Sequence, residues 1–166
     1  MKKIPLTQGY FATVDDDTFP ILTQFKWYAA VFKHTIYARK YNTNKELGSY
    51  MHHWILGYPM TGYVTDHIDG DGLNNLRSNL RPITQRQNVT NKKIKTSSVF
   101  PGVGWDKHHS IWSTSIHING KDIKLGEFKS EFLAFSVYRE AVIACGSALL
   151  PEYEIKYTLL KSLNCT

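Results

Sequence analysis

Apolar and polar residues are spaced differently in three stretches of this chain. In the first, from about Ile4 to Tyr58, Tyr10-Phe-Ala-Thr-Val14 has strand character. Asp15-Asp-Asp17 offers an N-cap to a short helix through Phe19 to Phe25, with Pro20 in its first turn. Lys26–Phe32 and Thr35–Tyr41 are rich in β-formers and flank a Lys33-His34 loop, which predicts a hairpin. Ser49 to Leu56 ends at a Gly57/Pro59 break. The second stretch, Tyr63 to Lys93, predicts a strand over Tyr63–His67, a loop over Ile68–Ser78, a strand over Asn79–Ile83 and a helix over Gln85–Asn91 with Thr84 as N-cap. It holds too few apolar residues to fold alone, so it joins the first in one domain, residues 1–93.

The third stretch follows a basic linker at 94–96 and covers residues 97–150, with 151–166 left as a C-terminal extension. Gly102–Trp105, Ile111–Ile118 and Lys121–Leu125 alternate as strands, and Asn119-Gly120 between the last two is a strong hairpin signal. From Glu131 to Cys145 the apolar residues Phe132, Phe135, Val137, Ala141, Val142 and Cys145 fall at helical spacing. The expected class is therefore α+β: a β-rich N-terminal domain, then a three-stranded antiparallel sheet backed by one helix.

Composition sharpens this picture. Hydrophobic residues at 42% and charged residues at 20% of 166 describe a folded chain, not a disordered tail. Twenty Lys and Arg against fourteen Asp and Glu leave a formal charge of +6, which favours a polyanionic partner. Between Thr84 and Lys95 the charged residues are Arg86, Lys92, Lys93 and Lys95, with no acid among them. Cys145 and Cys165 are far apart and outside any Cys-x-x-Cys pattern, so neither a structural zinc site nor a disulfide framework is expected. The first residues hold no apolar run of signal-peptide type. No stretch nears the roughly 20 apolar residues that span a bilayer. An aqueous, cytoplasmic location with no membrane partner is the expectation.

The densest polar cluster runs from Asp66 to Arg81, with Asn88 on the helix beyond. Phosphodiester hydrolysis needs a base for water, charge stabilisation of the pentavalent phosphate and an electrophile for the leaving oxygen. A neutral histidine can supply the first, and one hard cation held by oxygen ligands the other two. Adjacent strand residues point to opposite faces, so Asp66 and His67 can share one phosphate only where the strand twists or ends. Asp69-Gly-Asp-Gly72 reads as a turn. An EF-hand does not fit, because the twelfth position from Asp69 is Leu80.

The segment Val64-Thr-Asp-His-Ile-Asp-Gly-Asp-Gly-Leu-Asn-Asn-Leu-Arg-Ser-Asn-Leu-Arg-Pro-Ile-Thr-Gln-Arg-Gln-Asn88 resembles the core of phage and intron-encoded His-Asn-His (HNH, ββα-metal) homing endonucleases. The upstream Met51-His-His-Trp-Ile-Leu-Gly57 resembles the segment that precedes that core, with His53 where the family usually has Arg. The resemblance spans about residues 51–91. It implies a metal-dependent DNA endonuclease in which Asp66 and Asn88 hold one Mg²⁺ or Mn²⁺, His67 activates water and Asn79 braces the loop. His52 matches a family position and is either a phosphate contact or ligand, or a packing histidine. Arg77, Arg81 and Arg86 are candidates for phosphate contact, with a solvated face as the rival reading.

Residues 98–105, 112–120 and 124–128 and the helix after them resemble the Apetala/ethylene-response-factor DNA-binding domain, whose sheet lies in the major groove. That family's arginine row is absent here, so contact through Trp105, Lys107, Trp112, Ser115, His117, Lys121 and Lys124 is expected to be backbone- and shape-based, with core packing the rival reading for the two tryptophans. Double-stranded DNA is the implied partner. A double-strand break would need a homodimer or two sequential nicks. The competing hypothesis is a DNA-binding protein using both domains without cleavage, and an RNA-binding role has only the charge in its favour.

Overall fold

Short runs of β-branched and aromatic residues give strands of no more than eight residues, and the polar segments between them become loops and short helices. The computed structural model describes residues 1–41, 48–91 and 97–164. The expected linker at 94–96, and the DNA contacts expected of Lys92, Lys93 and Lys95, lie outside the described residues. The chain divides into two compact units, Met1–Gln85 and Arg86–Thr166.

The first unit is built on three antiparallel strand pairs: β1 (Lys2–Pro5) with β2 (Phe11–Val14), β3 (Tyr28–Val31) with β4 (Ile36–Arg39), and β5 (Tyr63–His67) with β6 (Leu80–Thr84). Two short helices, α1 (Phe19–Leu22) and α2 (Met51–Leu56), complete it. Its core gathers Ile4, Ala12, Val14, Leu22, Trp27, Ala38 and Met51, with Trp54, Ile55 and Leu73 packed against them. Helix α1 starts at Phe19 with no side-chain cap, because the acids expected to cap it are used elsewhere: Asp15 Oδ2 accepts from the Arg77 N–H at 2.8 Å and Asp17 pairs with the Arg77 guanidinium. Strand β1, unforeseen, buries only Ile4 of its four residues.

The second unit begins within α3 (Gln85–Asn91) and contains β7 (Val103–Asp106), β8 (Ile111–Ile118) and β9 (Lys121–Phe128), an antiparallel sheet in that order. Asn119 and Gly120, both at positive φ, make the β8–β9 turn. Helix α4 (Glu131–Ala144) starts at Ser130, whose Oγ accepts from the Leu133 N–H at 3.4 Å, and lies on the sheet. Phe100 stacks on Phe135 at 4.2 Å between ring centres, within a core that includes Val103, Ile116, Ala134, Tyr138 and Val142. A side chain at Gly102 would place its Cβ 2.1 Å from the Tyr138 ring, so only glycine allows that approach. The residues expected as an extension instead form helix α5 (Pro151–Asn164), with Tyr153, Tyr157 and Leu160 against the same core. Among the described residues no helix is long and apolar enough to cross a membrane.

Candidate active site

The loop between β5 and β6 has little apolar content, and its shape comes from polar groups bonding to backbone. Asp69 Oδ1 accepts from the Asp71 N–H at 2.8 Å, and Asp71 Oδ1 from the Leu73 N–H at 2.9 Å. These are two successive side-chain turns. The loop is then sewn to β2: the Thr13 N–H donates to the Leu73 carbonyl at 2.9 Å, and the Asn75 N–H to the Thr13 carbonyl at 2.8 Å. Gly72 passes so close to β4 that a Cβ there would sit 2.4 Å from the Ile36 carbonyl oxygen. Any side chain would push the loop off the hairpin.

Asn79, expected as the loop brace, is buried and makes three bonds across the loop. Its Nδ2 donates to Asp69 Oδ1 at 2.9 Å and to the Asn74 carbonyl at 2.8 Å, while its Oδ1 accepts from the Asp69 N–H at 3.1 Å. Burial raises the Asp69 carboxyl pKa, but bonds from Asn74, the Asp71 N–H and Asn79 outweigh it, so the group stays below its ordinary value.

His67 ends β5 at the mouth of this loop and is only 6% exposed. Its Nε2 lies 3.5 Å from Asn75 Oδ1, while Asn75 Nδ2 donates to the Gly72 carbonyl at 3.4 Å. An amide oxygen can only accept, so this orientation favours the hydrogen on Nε2 and leaves the Nδ1 lone pair as the basic site. Burial pushes the His67 pKa below its usual value. Asn75 and the carboxylates of Asp69, Asp66 and Asp71 oppose that shift without cancelling it. The imidazole is therefore neutral near pH 7, the state a proton acceptor needs.

Behind His67 lies an aromatic cage. The His52 ring is 5.2 Å away at 79°, and Tyr37 touches both imidazoles at 5.7 and 5.9 Å. His52 stacks on Tyr50 at 5.1 Å and is 7% exposed. Burial, then the positive potential that His53 and His67 would contribute, holds its pKa down at about 3. The ring is thus enclosed and neutral, packed between Tyr37, Tyr50 and His67. Tyr37 and Tyr50 were not singled out from sequence. For Tyr37 the signal was the alternation in Tyr37-Ala-Arg-Lys-Tyr41.

Asp66 has a side chain 12% exposed, and its Oδ2 accepts from Arg81 Nε at 2.9 Å. Arg81 was expected at a phosphate, but its position directly opposite Asp66 in the β5–β6 ladder turns it to that carboxylate. Arg77 is tied to Asp17 and Asp15. Asp66, in the first unit, and Asn88, on α3 at the start of the second, each carry a hard oxygen donor, and neither is a thiolate. That chemistry suits Mg²⁺ or Mn²⁺ and not zinc. Among the described residues there is no group of three or more His, Cys, Asp or Glu placed to hold an ion, so such a site would draw its remaining ligands from water and substrate.

In the second unit the register fixes which side chains face outward. Val103 is buried, so the period of two puts Trp105 on the helix side with Trp112, its cross-strand partner, whose ring is 5.0 Å away. Trp105 and Trp112 thus do not belong to the outward face. Ser115, His117 and Lys124 do, while Lys107 is exposed in the β7–β8 turn and Lys121 at the first position of β9. That face is not uniformly basic: His117 Nδ1 pairs with Asp122 at 2.8 Å and Lys124 with Glu127. Arg86, another expected phosphate contact, donates from Nη2 to the His117 carbonyl at 3.0 Å.

Comparison with known proteins bears on both units. The chain is 32% identical over 137 residues to a protein of Acanthamoeba polyphaga mimivirus named as an uncharacterized HNH endonuclease, covering 79% of this chain and 68% of that one. It is 36% identical over 62 residues to Protein 3.8 of Escherichia phage T7, covering 36% of this chain and 51% of that protein. No family model and no solved structure matches.

Proposed function

The chain belongs to the HNH endonuclease family, and from that premise we propose that it hydrolyses DNA phosphodiester bonds with His67 as the general base. The observation that supports this best is the placement of His67: a neutral imidazole at a strand end, its Nε2 directed to Asn75 and its ring backed by His52 and Tyr37. Nδ1 of His67 takes a proton from water, and the hydroxide attacks phosphorus. Asn75 and the buried His52 are positioning residues that hold the ring at that angle. Asn79 acts one step further out, by keeping the loop closed.

Asp66, with Asn88 on the helix that follows β6, would hold one Mg²⁺ or Mn²⁺. Bound there, the ion would stabilise charge on the phosphate and on the leaving 3′ oxygen. Arg81 orients Asp66 from the neighbouring strand. For the second unit the proposal is a tether to double-stranded DNA of the Apetala/ethylene-response-factor kind. Ser115, His117 and Lys124 would lie on the contacting face, with Lys107, Lys121, Lys92, Lys93 and the linker residue Lys95 adding phosphate contacts.

Supercoiled plasmid, with and without Mg²⁺, tests the reading. Metal-dependent nicking should fall about 10²- to 10⁴-fold in His67→Ala, the range for losing a general base. Binding to plasmid without cleavage in Mg²⁺ or Mn²⁺ would leave a DNA-binding protein and remove the enzyme.

A further inference from the structure

The β3–β4 hairpin has two unlike faces. Ala29 and Ala38, paired across the ladder, are both buried. The same register puts Tyr28 and Arg39 on the other face with Tyr37, and Tyr41 continues the alternation two residues beyond Arg39. Tyr28 and Tyr41 lie 5.1 Å apart at 32°. The Arg39 guanidinium sits 4.6 Å over the Tyr50 ring and is steadied by Ser49 Oγ, 2.8 Å from Nη2. Between these groups and Tyr58 lies a cleft of about 430 Å³, with Lys40 also on its wall and no carboxylate among the described residues that line it.

Three features fit a ligand better than a packing surface. Tyr41 is 89% exposed and Tyr58 63%, large aromatic faces left open to solvent. His53, on the same wall, has a buried Nδ1 with no hydrogen-bond partner among the described residues. The face also leads to the candidate active site, since Tyr37 at its other end touches the His67 ring.

Resting on the nuclease reading above, we infer that this cleft is a nucleotide subsite for the DNA strand, taking one unstacked base on Tyr41 with its phosphate toward Arg39. Every base has a π-face, so a tyrosine platform accepts any of the four, and the arginine supplies charge without reading sequence. A base can reach the platform only if it leaves the duplex stack. The chain should therefore prefer DNA that already carries an unpaired base.

The full chain carrying His67→Ala, in EDTA, is titrated against fluorescein-labelled duplexes of about 20 base pairs, one perfect and one with a single unpaired base. The unpaired base should tighten binding about tenfold, within the range of one base–aromatic stack. Tyr41→Ala and Tyr58→Ala should abolish that preference, and Tyr41→Phe, which still stacks, should keep it. Thermal unfolding should be unchanged in these variants, since both side chains are exposed. A preference that survives both alanine substitutions overturns the subsite. Free thymidine monophosphate that competes as strongly as the oligomer overturns its assignment to a strand. The readout involves no cleavage, so failure here leaves plasmid nicking by the wild-type chain to stand or fall by itself.

Discussion

The β5–β6 loop of the first unit and the sheet-and-helix module of the second hold backbone in place by opposite means. The loop, with the buried His67 at its mouth, buries Asn75 and Asn79 and is shaped by side-chain bonds to backbone. The module buries Phe135, Ile116 and Val142 and is shaped by apolar packing. Each bond in the loop contributes about 0.5–1.5 kcal/mol net, but a partner left unsatisfied costs more, and the bond's direction fixes a geometry that packing alone would not. Packing contributes more energy and tolerates small displacements. A site that must aim an imidazole to within tenths of an ångström has reason to use the first means, and a platform has reason to use the second.

Paired substitutions test that contrast. Phe135→Ala should cost about 3–5 kcal/mol in guanidinium denaturation, the usual loss for a fully buried aromatic. Its plasmid nicking under folding conditions should change far less than its stability. Asn79→Ala should show the reverse. It strands the Asp69 N–H and the Asn74 carbonyl for about 1–3 kcal/mol, yet nicking should fall about 100-fold as the loop slackens. Equal losses of stability and activity in both variants would erase the distinction.

Acid titration should sharpen it. The His52 pKa is held down, by burial first, from 6.5 to about 3. A depressed histidine leaves the unfolded chain binding the extra proton, so stability is full above pH 6.5 and falls as pH drops from 6.5 toward 3. The slope for one such group is about 1.4 kcal/mol per pH unit. His53 and His67 are depressed in the same direction and add to it. Urea midpoints of the wild type and His52→Leu between pH 7 and pH 5 measure this. The variant should lose less on acidification, and parallel pH dependences would show that His52 is not buried as a neutral ring.

What could be read from sequence follows the same division. Apolar periodicity and Asn119-Gly120 were enough to predict β8, β9 and α4, because those elements are set by burial and a turn type that residue chemistry announces. Helix α5 could have been predicted and was not: Pro151 at its first position, Glu152 and Glu154 in its first turn, and apolar Tyr153, Tyr157 and Leu160 on one face are ordinary helix signals. The loop's turns were readable from Asp69-Gly-Asp-Gly72, but not its attachment to Thr13, which is backbone bonding between residues far apart in sequence. Nor could sequence say that Asp15 and Asp17 serve Arg77 instead of α1, or that Arg81 faces Asp66. Charges of opposite sign find each other through a register that periodicity leaves open.

Arg77 draws the finest line between holding the fold and holding DNA. Its backbone N–H, which any residue keeps, makes the bond to Asp15, and its guanidinium pairs with Asp17 in solvent. A solvent-screened pair of this kind contributes little to stability, so Arg77→Ala should leave the unfolding free energy nearly unchanged. If the guanidinium exchanges Asp17 for a phosphate when DNA arrives, the variant should bind every duplex more weakly by a similar factor. The slope of log affinity against log salt should then shrink by about one. Asp17→Asn separates the two uses: it removes the competing carboxylate, so it should strengthen DNA binding in the wild-type background and have no effect once Arg77 is alanine. An unchanged salt slope in Arg77→Ala would confine this arginine to the protein surface, and the phosphate contacts of the first unit would have to be sought on the hairpin face instead.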